Sequence, residues 1–391
     1  MSTRTRSILI GFADALAAPE VAASLLAAGY RVAGFTRRGK PTPLRYLDGV
    51  DLVPVTPPER DVAACADEIA AAAQGHDVTM PLDDVAVLLC DRALGDDSIV
   101  AGPRGRQAEL ALDKRLQLEA AEAAGFDVPE WLELAAGERL PDGWTMPTVL
   151  KPALAVEELG GRMRRLSPRV IAGQGELDAV RESWGEATRV LVQRRMNGTG
   201  AGLFGLADAT GVHHLSAHRR VRMMNPAGSG SSACASAQVS PELVAPVQRF
   251  LGDADWQGMF MVEFLRSGTT CWFMELNGRA WGSLALSRRL GYEYPAWSVA
   301  RALDANTPLP DSPRFQSLLC RNLGREVVHL LFVLRGPHSD SVDWPGRWST
   351  LSALSQTSRG TTWYNLGPGG RRLFLYDAWR TVVDQTVGRR R

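Results

Sequence analysis

The chain has 391 residues, 45% of them hydrophobic and 22% charged, the balance of an ordinary folded protein and too many residues for one compact core. A formal net charge of +1 provides no broad field for nucleic acid or an anionic membrane. Arginines do gather locally, at Arg162, Arg164 and Arg165 and at Arg219, Arg220 and Arg222, an arrangement suited to small anions. The five cysteines are scattered without a CxxC pair, so neither a zinc site nor a disulfide framework is expected.

At the start, Arg4 and Arg6 precede an apolar stretch that Asp14 interrupts, which reads as a buried strand over Ser7–Phe12. No run approaches the roughly 20 apolar residues of a membrane helix, so a soluble, cytoplasmic protein is expected. SILIGF and RVAGFTR read as strands around the helix PEVAASLLAAGY, and DVAACADEIAAAAQ as a helix before the strand DVTMPL. This βαβ rhythm predicts a parallel sheet with covering helices. The first turn, GFADALAAPE, is not GxGxxG, which argues against a dinucleotide-dependent oxidoreductase.

A second region opens at LDKRLQLEAAEAAGFDVPEW, where Asp113 caps a helix, Gly125 ends it and Pro129 prevents its resumption. MPTVLKPAL predicts a strand carrying Lys151, and RVLVQRRMNG a second strand ending in a turn. Beyond a loop rich in Gly and Ser, Asn225–Ser232, PELVAPVQRFL reads as a helix. GMFMVEFL and CWFMELN then form a strand pair around Arg266–Thr270. The tail from about Ser312 reads as a mostly helical appendage.

The chemistry concentrates in MVEF and FMELNGRAWGS. A connecting loop with an odd number of residues pairs Leu265 with Cys271, sets Glu263 opposite Phe273 and makes Glu275 its diagonal neighbour, with Asn277 on the same face. Two carboxylates and an amide oxygen are hard ligands suited to Mg²⁺. An even loop would separate the two acids and leave a solvated strand face.

These residues resemble the metal-binding motif of the ATP-grasp superfamily. The order of pieces matches as well: an α/β unit, LDK, VLKP, VLVQ, VEF and ELNGR, over about residues 7 to 305. The likeness is greatest to the carboxylate–amine ligases and the carbamoyl-phosphate-synthase-like group. It implies an α/β ATP-grasp fold with a Rossmann-like parallel-sheet domain over residues 1–112 and a linker helix with a small mobile lid over 113–196. A large nucleotide-holding subdomain would span 197–311, followed by the C-terminal extension 312–391.

The resemblance further implies ATP and Mg²⁺, with Glu263, Glu275 and Asn277 on the metal. Lys151 would contact the α- and β-phosphates, Lys114 would lie on the nucleotide's side of the cleft, and Gln193, Arg194 and Met196 would lie in the adenine hinge. Arg279 would hold the transferring phosphoryl group, and Arg220 the acid substrate. The partners are then a small carboxylic acid and an amine, with oligomerisation open. Two departures stand out: no acid follows the hinge at short spacing to hold the ribose, and the phosphate-covering segment EELGGRMRRLSP offers only Gly160 and Gly161. A phosphotransferase of the same fold, or a nucleotide-binding protein without catalysis, remains an alternative. Ser231, Ser232 and Cys234 have no adjacent base, and His213, His214 and His218 read as surface or supporting groups.

Overall fold

The computed structural model describes residues 4–185, 188–228, 230–337, 344–356, 360–367 and 369–386. Its first unit runs β1 (Ser7–Gly11), α1 (Ala18–Ala27), β2 (Arg31–Arg37), β3 (Val50–Val55), α2 (Val62–Ala73), β4 (Val78–Pro81) and α3 (Asp84–Ala93). The strands form a parallel sheet in the order β3-β2-β1-β4. All five residues of β1 are buried, as expected of a strand covered on both faces. The carboxyl ends of these strands lie along one edge, where Arg37 Nη1 bonds Asp14 at 3.0 Å and Arg37 Nη2 reaches Asp83 at 3.4 Å. In open α/β sheets that edge is where ligands bind.

Helices α4 (Arg106–Leu112) and α5 (Lys114–Ala124) lead out of this unit. Asp113 caps α5 as expected, accepting from Arg115 N at 2.8 Å and Leu116 N at 3.3 Å, and Gly125 closes it at φ +87°. There follow β5 (Trp131–Leu134), β6 (Thr148–Pro152), the hairpin β7 (Glu157–Leu159) and β8 (Arg162–Arg164), β9 (Arg169–Ile171), α6 (Gln174–Trp184) and β10 (Val190–Arg194). Four of these strands make an antiparallel sheet in the order β5-β10-β6-β9. The hairpin expected to cover the phosphates rests on the first unit. Met163 and Val156 are buried with Leu9, Phe35 and Leu89, and Val62 N and Met163 N bond Gly161 O and Pro58 O at 2.9 and 2.8 Å.

The third region runs β11 (Thr199–Asp208), β12 (Gly211–Met223), β13 (Ser231–Ala237), α7 (Pro241–Asp253), β14 (Gly258–Ser267), β15 (Thr270–Asn277), α8 (Leu284–Arg289) and α9 (Tyr294–Leu303). The tail adds β16 (Leu319–Arg321), α10 (Leu323–Arg335), α11 (Arg347–Ser355), β17 (Thr361–Trp363) and α12 (Gly370–Thr386). It is more than a helical appendage, because β16 pairs with β13 and β17 with β16, completing a seven-stranded sheet β15-β14-β11-β12-β13-β16-β17. One face of that sheet packs Phe260, Phe264 and Phe273 on Leu118 and Phe250 of α5 and α7. The other meets the first unit through Phe204, Met261 and Trp281, with Trp281 stacked on Phe204 at 4.8 Å. The three regions meet at Asp84 of the first, which accepts from Arg165 of the second and Arg279 of the third. No described helix is long and apolar enough to cross a membrane.

Candidate active site

The turn between β14 and β15 has two residues, Gly268 and Thr269, the even case of the two left open, since Ser267 pairs with Thr270 and Phe264 with Phe273. On strict alternation that register would put Glu263 and Glu275 on opposite faces. A β-bulge prevents this. Met274 is the extra residue on β15, the alternation shifts by one, and Glu263 pairs directly with Glu275 rather than with Phe273. Phe273 thereby stays in the core while Glu275 turns to the cleft face. Asn277 follows on that face, its Nδ2 3.5 Å from Glu275 Oε1.

Two carboxylates directly opposite one another destabilise a sheet unless a cation joins them. Here the cation is Arg220, whose Nη2 donates to Glu263 Oε2. Burial and the neighbouring Glu275 charge push the Glu263 carboxyl upward, with Arg220 opposing them. Burial works against the Arg220 charge, and Glu263 more than offsets it. The side chain crosses β11 at Gly200, where a Cβ would lie 2.4 Å from Arg220 Cδ, so a glycine is required there for this reach. Arg219 is exposed, and Arg222 turns away to donate to Glu326 Oε2 at 2.5 Å. A register shift between Arg220 and Arg222 accounts for their separation.

The two lysines share the influence of Glu275, and Lys114 acts on Lys151. Burial lowers Lys114, opposed by the charges of Glu275 and Asp84, and lowers Lys151 to about 8, opposed by Glu275 and Glu263. Lys151 Nζ donates to Gln193 Oε1 at 2.5 Å, and Gln193 Nε2 is a buried donor with no acceptor among the described residues. Arg194 is exposed at the end of β10, with its N–H on Glu130 O at 2.7 Å, and Met196 is partly buried just beyond. The basic hairpin is already engaged. Arg164 bonds Glu157, Thr188 and the Trp184 carbonyl, Arg165 reaches Asp84, and Arg162 is exposed.

Two features escaped the sequence reading, and a third, His218, was left open between a surface and a supporting place. Asp84, at the start of α3, accepts from Arg279 Nε at 2.9 Å and Nη2 at 3.4 Å. An acidic pair closing a strand, LDD, was the available signal. Arg325 of α10 donates from Nη1 to Ser231 O at 3.0 Å and has no carboxylate partner among the described residues. A Cβ at Gly230 would sit 2.6 Å from that Nη1, so the Gly–Ser loop wraps it; Ser229 of the loop lies outside the described residues. Burial lowers Arg325 despite the neighbouring Tyr364 and Asp377, and Arg220 adds to the lowering. Nothing local in the tail announced this role. Finally, His218 is 2% exposed, not a surface group, and burial lowers it to about 3. His213 pairs with Asp208 at 3.0 Å, and His214 lies 5.0 Å from the Trp297 ring.

No group of three His, Cys, Asp or Glu side chains gathers as a metal cluster among the described residues. The hard donor set is therefore the paired carboxylates Glu263 and Glu275 with the Asn277 amide. It fits a divalent cation through its two facing carboxylates, while the orphaned Gln193 Nε2 fits an acceptor on a nucleotide base.

The chain has the ATP-grasp fold. Similar solved structures include L-amino acid ligase from Bacillus licheniformis, at 19% identity and TM-score 0.58, over 78% of this chain and 75% of that one. N5-carboxyaminoimidazole synthetase from Staphylococcus aureus matches at 15% identity and TM-score 0.61, over 83% and 84%. The biotin carboxylase domain of Hydrogenobacter thermophilus 2-oxoglutarate carboxylase, a complex with MgADP and bicarbonate, matches at 16% identity and TM-score 0.59, over 80% and 73%. No protein-family model and no curated protein sequence matches the chain.

Proposed function

We propose that the protein is an ATP-dependent ligase that phosphorylates a carboxylic acid and couples it to an amine. The observation that carries this is the bulge-enforced pairing of Glu263 with Glu275, set among Lys114, Lys151 and Arg279, an excess of fixed cations beside a hard-ligand pair. Such a centre suits phosphoryl transfer, which is mostly positioning and neutralisation of spread charge. Similar structures named as an amino acid ligase, a carboxyaminoimidazole synthetase and a carboxylase support the reading.

Glu263, Glu275 and Asn277 would hold Mg²⁺, which when bound neutralises the nucleotide phosphates. Gln193, Arg194 and Met196 would hold the base, and Lys114 and Lys151 the triphosphate. The acid's carboxylate oxygen attacks the γ-phosphorus and ADP departs. The amine nitrogen then attacks the acyl carbon, the C–O bond to phosphate breaks, and the amine proton leaves with phosphate or solvent. Arg279 meets the transferring phosphoryl group. Arg325, with no carboxylate partner among the described residues, anchors the acid beside Arg220, which a cation on Glu263 would release for the same task. The setting is a soluble protein of the cytoplasm.

The test begins with mixtures of acids and amines, read by ADP release and product mass. With the acid found, labelling both its carboxylate oxygens with heavy oxygen should yield ADP and singly labelled phosphate, because one C–O bond is broken after phosphorylation. AMP with pyrophosphate would remove the proposal. A stable phosphorylated product without phosphate release would make the protein a phosphotransferase.

Lys151 supplies a further check. Its ammonium, lowered to about 8 by burial, is charged below that pH and neutral above it, and the triphosphate selects the charged form. Nucleotide affinity should therefore fall as pH rises above about 8, by at most about tenfold per pH unit. Proton uptake on binding should be visible by calorimetry in buffers of different ionisation enthalpy. Lys151→Arg should flatten the profile, and a flat profile in the parent protein would remove Lys151 from the triphosphate.

A further inference from the structure

Asp84 stands where the three regions of the chain meet. It comes from the first turn of α3 in the N-terminal unit, yet its partners are Arg279, on the loop after β15, and Arg165, just beyond the β7–β8 hairpin. Lys114, at the start of α5, adds its charge to the same carboxylate. The Asp84 side chain is 9% exposed and that of Arg279 19%. Burial alone would raise the Asp84 carboxyl, but Arg279 and Arg165 outweigh it and hold it low. The same pairing raises Arg279 against the effect of its own burial.

The hydrogen-bond geometry shows what this pairing does to the guanidinium. Asp84 takes Nε–H and one Nη2–H of Arg279, at 2.9 and 3.4 Å, and the Ala280 carbonyl takes one Nη1–H at 3.3 Å. A guanidinium has five N–H donors in a fixed plane, so one donor on Nη1 and one on Nη2 have no acceptor among the described residues. Asp84 thus occupies the Nε/Nη2 edge of the guanidinium, which leaves a donor on each of Nη1 and Nη2 for the oxygens of a phosphoryl or carboxylate group. A long arginine side chain on a loop would otherwise sample many rotamers. Asp84 fixes both its plane and its direction.

Resting on the ligase reading, we infer that Asp84 is the positioning residue of Arg279: the N-terminal unit aims the arginine that meets the transferring phosphoryl group. The tie to Arg165 makes that aim depend on the docked hairpin. Asp84 touches no substrate in this scheme. Its effect is on the orientation of Arg279, and is therefore greatest for the charge distribution of the transition state and small for the ground-state nucleotide.

The experiment compares parent protein, Asp84→Asn and Asp84→Glu, with folding checked by circular dichroism and thermal melting. Without nucleotide, the Nε–H signal of Arg279, assigned by its loss in Arg279→Lys, should be protected from exchange in the parent and unprotected in Asp84→Asn. In calorimetry, Asp84→Asn should bind MgADP within about twofold of the parent, but MgADP with aluminium fluoride, a mimic of the phosphoryl in flight, at least roughly tenfold more weakly. Asp84→Glu should recover much of that loss. Equal affinity of parent and Asp84→Asn for the mimic would overturn the inference. So would an equal loss for MgADP and mimic, which would mark Asp84 as structural only. If the parent binds no MgADP, the ligase reading falls, and the Arg279 exchange comparison alone then decides whether Asp84 sets the guanidinium.

Discussion

Glu275→Gln is expected to reduce turnover by roughly a thousandfold or more while the protein stays folded, and Asn277→Ala to act in the same direction. Glu275 lies opposite Glu263 with Asn277 one step along the same face, so each change alters a donor atom of the proposed hard-cation site. The loss should appear in kcat, because the cation's charge matters most when phosphoryl charge is moving. Folding should be spared for a specific reason. Gln keeps the size of Glu and removes one of two facing like charges, which by itself relieves repulsion in the empty sheet. The check is ADP release at saturating Mg²⁺ together with the melting temperature. Near-normal turnover by both variants would take the metal site away from these residues.

MVEF and ELNGR pointed to two acids on one face, and the structure does bring Glu263 and Glu275 together, but by a register that the sequence did not reveal. Seen as an alternating strand, CWFMELN places Phe273 and Glu275 on one face, although one belongs in the core and the other in the cleft. That conflict was itself a bulge signal: three bulky apolar residues, Trp272, Phe273 and Met274, run together where strict alternation allows no such run. The two-residue turn at Gly268–Thr269 and the bulge at Met274 are two shifts that cancel, so an argument resting on loop parity alone reaches the right face by the wrong register.

Other elements were readable because their signals are local. The Asp113 cap, the Gly125 stop and the strand Arg31–Arg37 depend on neighbours within a turn or a strand. What was missed depends on distant chain. β16 has three residues, too few for any period, and becomes a strand only because β13 offers it an edge. Arg325 is one arginine among many in the tail until α10 carries it under the Gly–Ser loop. Asp84 meets Arg279 across 195 residues of sequence. Site residues brought together by tertiary pairing leave little trace in spacing.

Arg279 and Arg325 should fail in different ways, and the contrast tests the layout of the cleft. Arg279 is held by Asp84, and on the proposed reading it meets the phosphoryl group as charge develops. Its change to alanine should lower kcat by roughly a hundredfold or more, the scale of losing a preorganised charge stabiliser. Nucleotide affinity should change much less, since the lysines and the cation hold the ground-state phosphates. Arg325 lies against Ser231 O of the Gly–Ser loop, and on the proposed reading it holds the acid rather than the leaving ADP. Arg325→Ala should therefore raise KM for the acid by roughly tenfold or more, the effect of removing a charged bond that is made alike in ground and transition states, with kcat and ADP binding close to the parent's. Arg220→Ala should fall between them, because Arg220 also balances Glu263: the acid KM rises, and the Mg²⁺ requirement shifts as the freed carboxylate binds the cation without a competitor. Steady-state kinetics in acid and Mg²⁺, with calorimetry for ADP, separates the three. Should Arg325→Ala weaken ADP binding and leave the acid KM alone, that arginine belongs to the nucleotide and the acid must bind elsewhere in the cleft.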